Sequence, residues 1–404
     1  MVVLHVLDSS LPILSGYSIR THHIIMHQQQ YCASIGITSP YYVNTNKVET
    51  IDSVKYYRSF RSRFSDMVFQ KNIPLIKHYS IEKDFERDIC SLIREVNPNI
   101  IHGHSSHHIA YPAYRMAKRY NIPFVYEIRG LWEETLLVQG IYKKNSIRYK
   151  YNKSRETFLA KKARKVFVIS ESLKEDLVYR GIHREKLVVI PNGIVGNDSK
   201  PAAEEEKKLH AKYNLEGSIV IGYIGSINGY ESLDLLIKLI AHFVGKSKKV
   251  KGLIVGQGPE KENLIKLSDL LGIRDKIIFT GAINPDIIHA YYSLIDIFII
   301  TRYKGRAVQL VTPLKPYEAM EAGKCLVMSD LPALREIVQN KTTGLLYQPG
   351  DENDLISKCE CLIDDDCLRE KMGQAARKWV LKNRQWSDIV KNYFEHYKQL
   401  VDTN

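Results

Sequence analysis

The segment from Arg302 to Gly323 holds the residue types most suited to chemistry: spaced cations at Arg302, Arg306 and Lys315, and a carboxylate at Glu318. An apolar run, Ile295 to Ile300, precedes it and reads as a buried strand, and a helix is expected to open at Pro316. A helix start offers backbone N–H groups and the positive end of a dipole, which suits an anion such as a diphosphate. A carboxylate in the first turn can accept hydrogen bonds from sugar hydroxyls. A structural reading of Glu318 stands beside this one. A Glu there is favourable with the dipole alone and often closes a capping box, although Lys315 before Pro316 is no capping acceptor.

These residues need a scaffold, and apolar runs of strand length alternate with helical-period segments throughout. Val2–Leu7, Ile100-Ile101, Phe124–Ile128, Val166–Ile169 and Leu187–Ile190 are strand candidates in the first half; Ile219–Ile224, Gly252–Val255, Lys276–Thr280, Ile295–Ile300 and Cys325–Ser329 follow in the second. Amphipathic segments such as Leu233–Phe243 and Glu260–Leu271 lie between them. This alternation predicts an α/β fold with parallel sheets covered on both faces. A linker at Pro191-Asn-Gly193 and the polar run from Asn197 divide the chain into two Rossmann-like domains, 1–200 and 201–385. The aromatic-rich helix after Trp386 is expected to dock back toward the first domain.

In open parallel sheets, ligands sit beyond the carboxyl ends of the strands. Three glycine-bearing turns fall there: Gly16 after the first strand, Gly225-Ser226 after Ile224, and Gly256-Gln-Gly258-Pro after Val255. None is a complete dinucleotide fingerprint. Tyr126-Glu127-Ile-Arg129-Gly-Leu-Trp132 ends another strand; Glu127 and Arg129 share one face, either as ligand contacts or as an ion pair. His102, His104, His107 and His108 crowd one loop without a carboxylate at metal-ligand spacing, so a polar loop is expected and no metal. Asp364-Asp-Asp366 reads as a solvated turn.

The chain has 404 residues, room for two cores, and a net charge of +13. Residues 1–200 carry 30 Lys and Arg against 18 Asp and Glu, whereas 201–404 carry 28 against 27. The basic half therefore implies an anionic partner. Tyr56 to Phe64 is a basic-aromatic stretch read as a loop, and nucleic-acid binding is not expected from so short a pattern. Tyr142 to Lys165 is a helical run with cations nearly all round it, either a solvated face or one attracted to anionic lipid. No signal peptide or membrane span is seen, and the six cysteines show no paired spacing, so a cytoplasmic protein with reduced thiols is expected.

Several motifs taken in order resemble the family 4 retaining glycosyltransferases, whose two-Rossmann-domain architecture is called GT-B. They are the Gly16 loop, Val168-Ile-Ser-Glu-Ser-Leu-Lys, Val189-Ile-Pro-Asn-Gly, Ile254-Val-Gly-Gln-Gly-Pro-Glu, Phe279-Thr-Gly and Glu318-Ala-Met-Glu-Ala-Gly-Lys. Tyr230-Glu-Ser-Leu-Asp-Leu-Leu and Val311-Thr-Pro-Leu-Lys-Pro are most similar to a branch associated with bacterial exopolysaccharide and exosortase loci. The resemblance implies donor-binding roles for Gly16, Gly225, Ser226, Gly256, Gly258, Ile283, Thr312, Leu314 and Glu318, with Glu318 on the donor ribose. It implies an acceptor side at His104, Glu127, Arg129 and Trp132.

The departures carry information. The family carboxylate that faces the donor sugar falls on Val311, its phosphate-binding Arg on Ser226, and its cleft-lining His on Arg129. Arg302, Arg306 and Lys315, with the N–H groups of Leu314 and Lys315, are the expected replacements at the diphosphate, since guanidinium forks suit phosphate oxygens. The expected reaction is retaining transfer from a UDP- or GDP-sugar to a glycan or a polyprenyl-diphosphate-linked acceptor, on the inner face of the plasma membrane, without cofactor. Two other readings remain: a nucleotide-sugar epimerase on the same fold, and a non-catalytic sugar-nucleotide-binding protein.

Overall fold

The chain opens VVLHVL, an apolar run with three β-branched residues, which suits a strand buried on both faces. In the computed structural model this run is β1 (Val2–Leu7), at the middle of an eight-stranded sheet. The structure describes residues 1–42, 46–71, 74–196, 203–303 and 305–402. Lys304 and the polar run from Asn197 to Ala202 lie outside the described residues.

The first sheet also contains β2 (Ala33–Thr38), β3 (Val48–Ile51), β4 (Val54–Arg58), β5 (Ile100–His104), β6 (Phe124–Ile128), β7 (Lys165–Val168) and β8 (Leu187–Val189). Its order is β3-β4-β2-β1-β5-β6-β7-β8, parallel except for the edge strand β3. The second sheet contains β9 (Ile219–Ile224), β10 (Val250–Val255), β11 (Ile277–Gly281), β12 (Ile297–Ile300), β13 (Cys325–Ser329) and β14 (Leu345–Tyr347), ordered β11-β10-β9-β12-β13-β14 and wholly parallel.

Two compact units result, one of residues 1–192 with 386–404, the other of residues 193–385. In the first, the C-terminal helix Trp386–Asp402 buries Trp386, Tyr393 and Tyr397, and Trp386 stacks on His23 of helix Gly16–Gln28. Tyr56-Tyr57-Arg58, expected in a loop, instead forms the end of β4. A two-residue turn, Asp52-Ser53, with φ of 45° and 68°, folds β3 back onto it. Such a turn is normally signalled by Asn-Gly or Asp-Gly, and neither is present here.

Candidate functional site

In the second sheet the strand order reverses between β9 and β12, so the loops after these two strands part and leave a crevice at their carboxyl ends. The loop after β9 brings Gly225 and Ser226; the loop after β12 brings Arg302 and leads to helix Arg306–Leu310 and helix Lys315–Glu321. The glycines here are required by contact. A Cβ on Gly256, at φ 138°, would lie 1.9 Å from the Gly225 carbonyl oxygen, and one on Gly258 would lie 2.2 Å from that of Ile227. A Cβ on Gly225, at φ 144°, would lie 2.1 Å from Lys315 Cε. Backbone N–H groups tie the same loops together, Gly225 to Val255 at 2.8 Å and Ile227 to Gln257 at 2.9 Å.

The Lys315 side chain crosses Gly225 to reach Glu231, donating to Oε1 at 2.7 Å and also touching the Tyr223 hydroxyl. Arg302 donates to the same carboxylate from Nε at 2.7 Å and Nη2 at 2.6 Å. Burial pushes the Glu231 carboxyl up, but Arg302 and then Lys315 outweigh it and hold it at about 2. Glu231 lies in the segment Tyr230-Glu-Ser-Leu-Asp-Leu-Leu, where the resemblance implies no role for it. Its signal, one of two carboxylates in a mixed polar and apolar turn, is weak without its partners. It corrects the expectation for Arg302, which is 6% exposed and turns its fork to a carboxylate instead of an open phosphate position. The three groups together carry one net positive charge, and Lys315 is the cation with more of its side chain exposed.

Arg306 is exposed at the first position of its helix. Neither Val311 nor Leu310 before it can supply a carboxylate. Glu318 is half-buried and its Oε2 accepts from the Tyr292 hydroxyl at 2.6 Å, an anchor 26 residues away that sequence spacing does not reveal. Leu314 stands before the helix and half-buried; Thr312 is buried beside it, and Ile283 packs half-buried on the unit's core after β11. Ser226 is exposed and its carbonyl accepts from Tyr223 at 2.9 Å.

The first sheet reverses its order between β1 and β5, and a second polar cluster lies there. Glu127, fully buried at the end of β6, accepts from Arg20 Nε at 3.0 Å, Arg129 Nε at 2.8 Å and the Tyr393 hydroxyl at 2.8 Å. Burial would raise its pKa, but Arg129 and then Arg20 hold it well below the carboxylate range. Arg129 also donates to Tyr17 O at 3.0 Å, to Thr21 Oγ1 at 2.5 Å and to His104 Nδ1 at 2.6 Å.

A guanidinium only donates, so His104 Nδ1 must accept and Nε2 carries the ring proton. That proton points to His5 Nδ1 at 3.0 Å, and His5 Nε2 then donates to Gln28 Oε1 at 2.8 Å. Gln28 Nε2 donates to the Tyr397 hydroxyl at 3.3 Å, Tyr397 to His102 Nδ1 at 2.6 Å, and His102 Nε2 faces Glu127 Oε2 at 3.4 Å. Every step has one direction. Burial lowers the pKa of all three histidines, and for His5 and His104 any charge would also be opposed by a charge on His102, so the three rings stay neutral.

His104 and Glu127 are therefore interior supports, corrected from acceptor contacts. Arg129 is the outer layer above them, and Trp132, 38% exposed, opens the following helix. Gly16 is exposed as the first residue of its helix. The histidine cluster of the sequence separates. His107 binds Asn152 at 2.7 Å and His108 lies 3.3 Å from Glu82, while His5 joins His102 and His104. The last three bring ring nitrogens within 4.8 Å of one another, a spacing that fits a metal. His5 and His104 are already engaged through both ring nitrogens and His102 through Nδ1, and two guanidinium groups beside Glu127 would repel a cation.

The sequence family described as Glycosyltransferase Family 4 matches residues 56–195, and that described as Glycosyl transferases group 1 matches residues 205–379. An uncharacterized glycosyltransferase of Methanocaldococcus jannaschii is 25% identical over 260 residues, 64% of this chain and 64% of its own length. The capsular polysaccharide biosynthesis glycosyltransferase CapM of Staphylococcus aureus is 27% identical over 235 residues, 56% of this chain and 58% of CapM. The matches thus span under two thirds of these relatives. Among solved structures, Anabaena HepE in complex with UDP and glucose superposes with a TM-score of 0.76 at 16% identity, covering 99% of this chain and 100% of that one. With both units matched in order and both sheets reversing at a ligand-type crevice, the chain belongs to the family 4-like glycosyltransferases of GT-B fold.

Proposed function

We propose that the chain transfers a sugar, with retention, from a nucleoside-diphosphate sugar to a hydroxyl of a glycan or polyprenyl-diphosphate-linked acceptor in bacterial surface polysaccharide synthesis, at the inner face of the membrane. The observation that carries this reading is the crevice between β9 and β12. There, backbone is packed too closely at Gly225 and Gly256 for any side chain, beside Lys315 and the first-turn carboxylate Glu318. The glycines let these loops pack closely enough for Lys315 to cross Gly225 beside the helix start, where an ammonium suits a diphosphate, and Glu318 held by Tyr292 suits ribose hydroxyls. A UDP-sugar is favoured, since HepE is described in complex with UDP and glucose; a GDP-sugar is the second choice. CapM's role in capsular polysaccharide biosynthesis supports the pathway class.

The leaving diphosphate gains charge as the sugar bond breaks, so preorganised cations lower that barrier selectively. Lys315 and Arg306 are assigned this work, with Arg302 behind Lys315 as counterion to Glu231. No side chain is assigned as nucleophile. The departing phosphate helps to take the acceptor proton on the same face, and neither cofactor nor metal is invoked. Arg129 cannot serve as a base, because a guanidinium stays protonated. It is assigned to orient the acceptor.

Thermal stabilisation by a panel of UDP- and GDP-sugars, followed by product analysis with and without lipid-linked acceptors, tests the reading. A glycosylated acceptor is expected. An epimerised nucleotide sugar formed without acceptor, or binding without turnover, would overturn it.

A further inference from the structure

The helix Ile147–Lys162 buries Tyr149, Asn152, Glu156, Leu159 and Ala160 against the first unit. Its cations look evenly spread in sequence, but burial gives it two distinct faces. Ile147, Tyr151, Ser154 and Phe158 stand four, three and four residues apart and form one stripe on the outer face. Ile147 is 88% exposed, Tyr151 53% and Phe158 39%, an unusual amount of large apolar surface for one helix. Lys150 and Lys161 flank the stripe on one side and Lys162 on the other, with Lys162 Nζ 5.7 Å from the Phe158 ring centroid.

The neighbouring helix Glu171–Tyr179 ends in Tyr179, also 88% exposed. Between the two helices lies an open cleft of about 540 Å³ lined by Lys150, Lys153, Phe158, Lys161 and Tyr179. Arg180 at its floor is neutralised by Glu133 at 2.7 Å and Asp176 at 2.8 Å. Among the described residues, Lys150, Lys153 and Lys161 have no carboxylate partner within ion-pair distance. Three unpaired ammonium groups around exposed aliphatic and aromatic side chains match an interface with negative charge above and hydrocarbon below. Aromatic rings settle at headgroup depth, and lysine stems lie along apolar surface while their charges stay in water.

We propose that this face of helix Ile147–Lys162, with Tyr179, docks on an anionic phospholipid bilayer as a peripheral contact. Charge complementarity and the interleaved apolar stripe favour that occupant over a nucleic acid, whose backbone would meet Ile147 with no gain. Among the described residues no helix is long and apolar enough to cross a membrane. The inference rests on the membrane-borne acceptor proposed above for its purpose, while its test uses neither donor nor acceptor.

The full chain is sedimented with vesicles of phosphatidylcholine alone or mixed with phosphatidylglycerol, at low and high salt. Binding to the mixed vesicles only, weakening with salt, is expected. Lys150→Glu with Lys161→Glu should lower the partition coefficient about 30-fold or more, at about 5-fold per cation removed. Ile147→Ser with Tyr179→Ser, both 88% exposed, should weaken it without changing the salt slope. All four side chains are exposed, so melting temperature should stay at the wild-type value, and vesicle binding is read independently of whether the chain transfers a sugar. Lys378→Glu with Lys382→Glu, equal in charge change and exposed on the other unit, should bind as wild type. Absence of wild-type binding to anionic vesicles would overturn the proposal, as would equal binding by the Lys150/Lys161 variant or an equal loss in the control.

Discussion

Glu231 receives Arg302 through both Nε and Nη2, at 2.7 and 2.6 Å, and this pairing decides which cation of the segment faces the crevice. The first unit repeats the arrangement, with Glu127 buried between Arg20 and Arg129. In each case one carboxylate absorbs one of two cations and leaves a single positive charge near a sheet reversal. The buried pair is the footing, and the outer cation is the group assigned to the proposed site.

Arg302→Ala and Arg306→Ala should therefore fail in different ways. The first strips a buried carboxylate of its main partner and is expected to destabilise by about 3–5 kcal/mol. The second removes an exposed side chain and should leave the melting temperature unchanged while turnover falls about 100–1,000-fold. Chemical denaturation beside single-turnover kinetics distinguishes them, and near-normal turnover of Arg306→Ala would remove that residue from the site.

Acid should expose the Glu231 pair directly. Its folded pKa of about 2 lies below its ordinary value of 4.5, so the stability it contributes is present above about pH 4.5 and lost as pH falls through about 2. The shift corresponds to roughly 3 kcal/mol. Unfolding free energies across that window should fall less steeply in Glu231→Gln, and identical slopes would refute the assignment.

Glu156 should act in the opposite direction. It is buried, and burial pushes its carboxyl up to about 7, against the pull of the Tyr126 hydroxyl. Its neutral form is favoured on folding, so its contribution is complete below about pH 4.5 and lost as pH rises through about 7. Glu156→Gln should flatten the decline in melting temperature between those limits.

Glu318 and Tyr292 can be separated by donor affinity. Glu318→Ala removes the assigned ribose contact and should weaken donor binding about 10–100-fold, the range for hydrogen bonds to a charged group. Tyr292→Phe leaves the carboxylate but frees its rotamer, and a loss of a few-fold is expected by calorimetry. An equal effect of both would make Glu318 a structural residue.

Gly256→Ala tests the close backbone approach. The added methyl would meet the Gly225 carbonyl at 1.9 Å from a φ of 138°. A loss of about 2–4 kcal/mol is expected from clash and backbone strain, together with loss of donor-induced stabilisation.

Much of the fold was legible in order. The run Phe124–Ile128 is a strand at those limits, as are Ile219–Ile224 and Cys325–Ser329. Continuous apolar stretches between helical-period segments leave few alternatives to a buried parallel sheet. β4 was missed because its Tyr-Tyr-Arg end looks polar and basic, and only Glu49, Ser10 and the Leu11 carbonyl around Arg58 make that end a buried strand. The outer face of helix Ile147–Lys162 was hidden for a related reason: a cation count around a helix does not say which side is covered.

The sequence by itself determined the alternation of elements, the glycine turns at strand ends and the carboxylate Glu318 in a first helical turn, because each follows from neighbouring residues and local backbone preference. Tertiary structure alone decided the partners of the charges. Arg302 meets Glu231 across 71 residues, Lys315 meets it across 84, and Tyr393 closes on Glu127 across 266. A buried charge is stable only beside its counterion, and no local pattern names a counterion so distant. The cations of residues 302–315 were visible in the sequence; which of them is already neutralised was settled by folding.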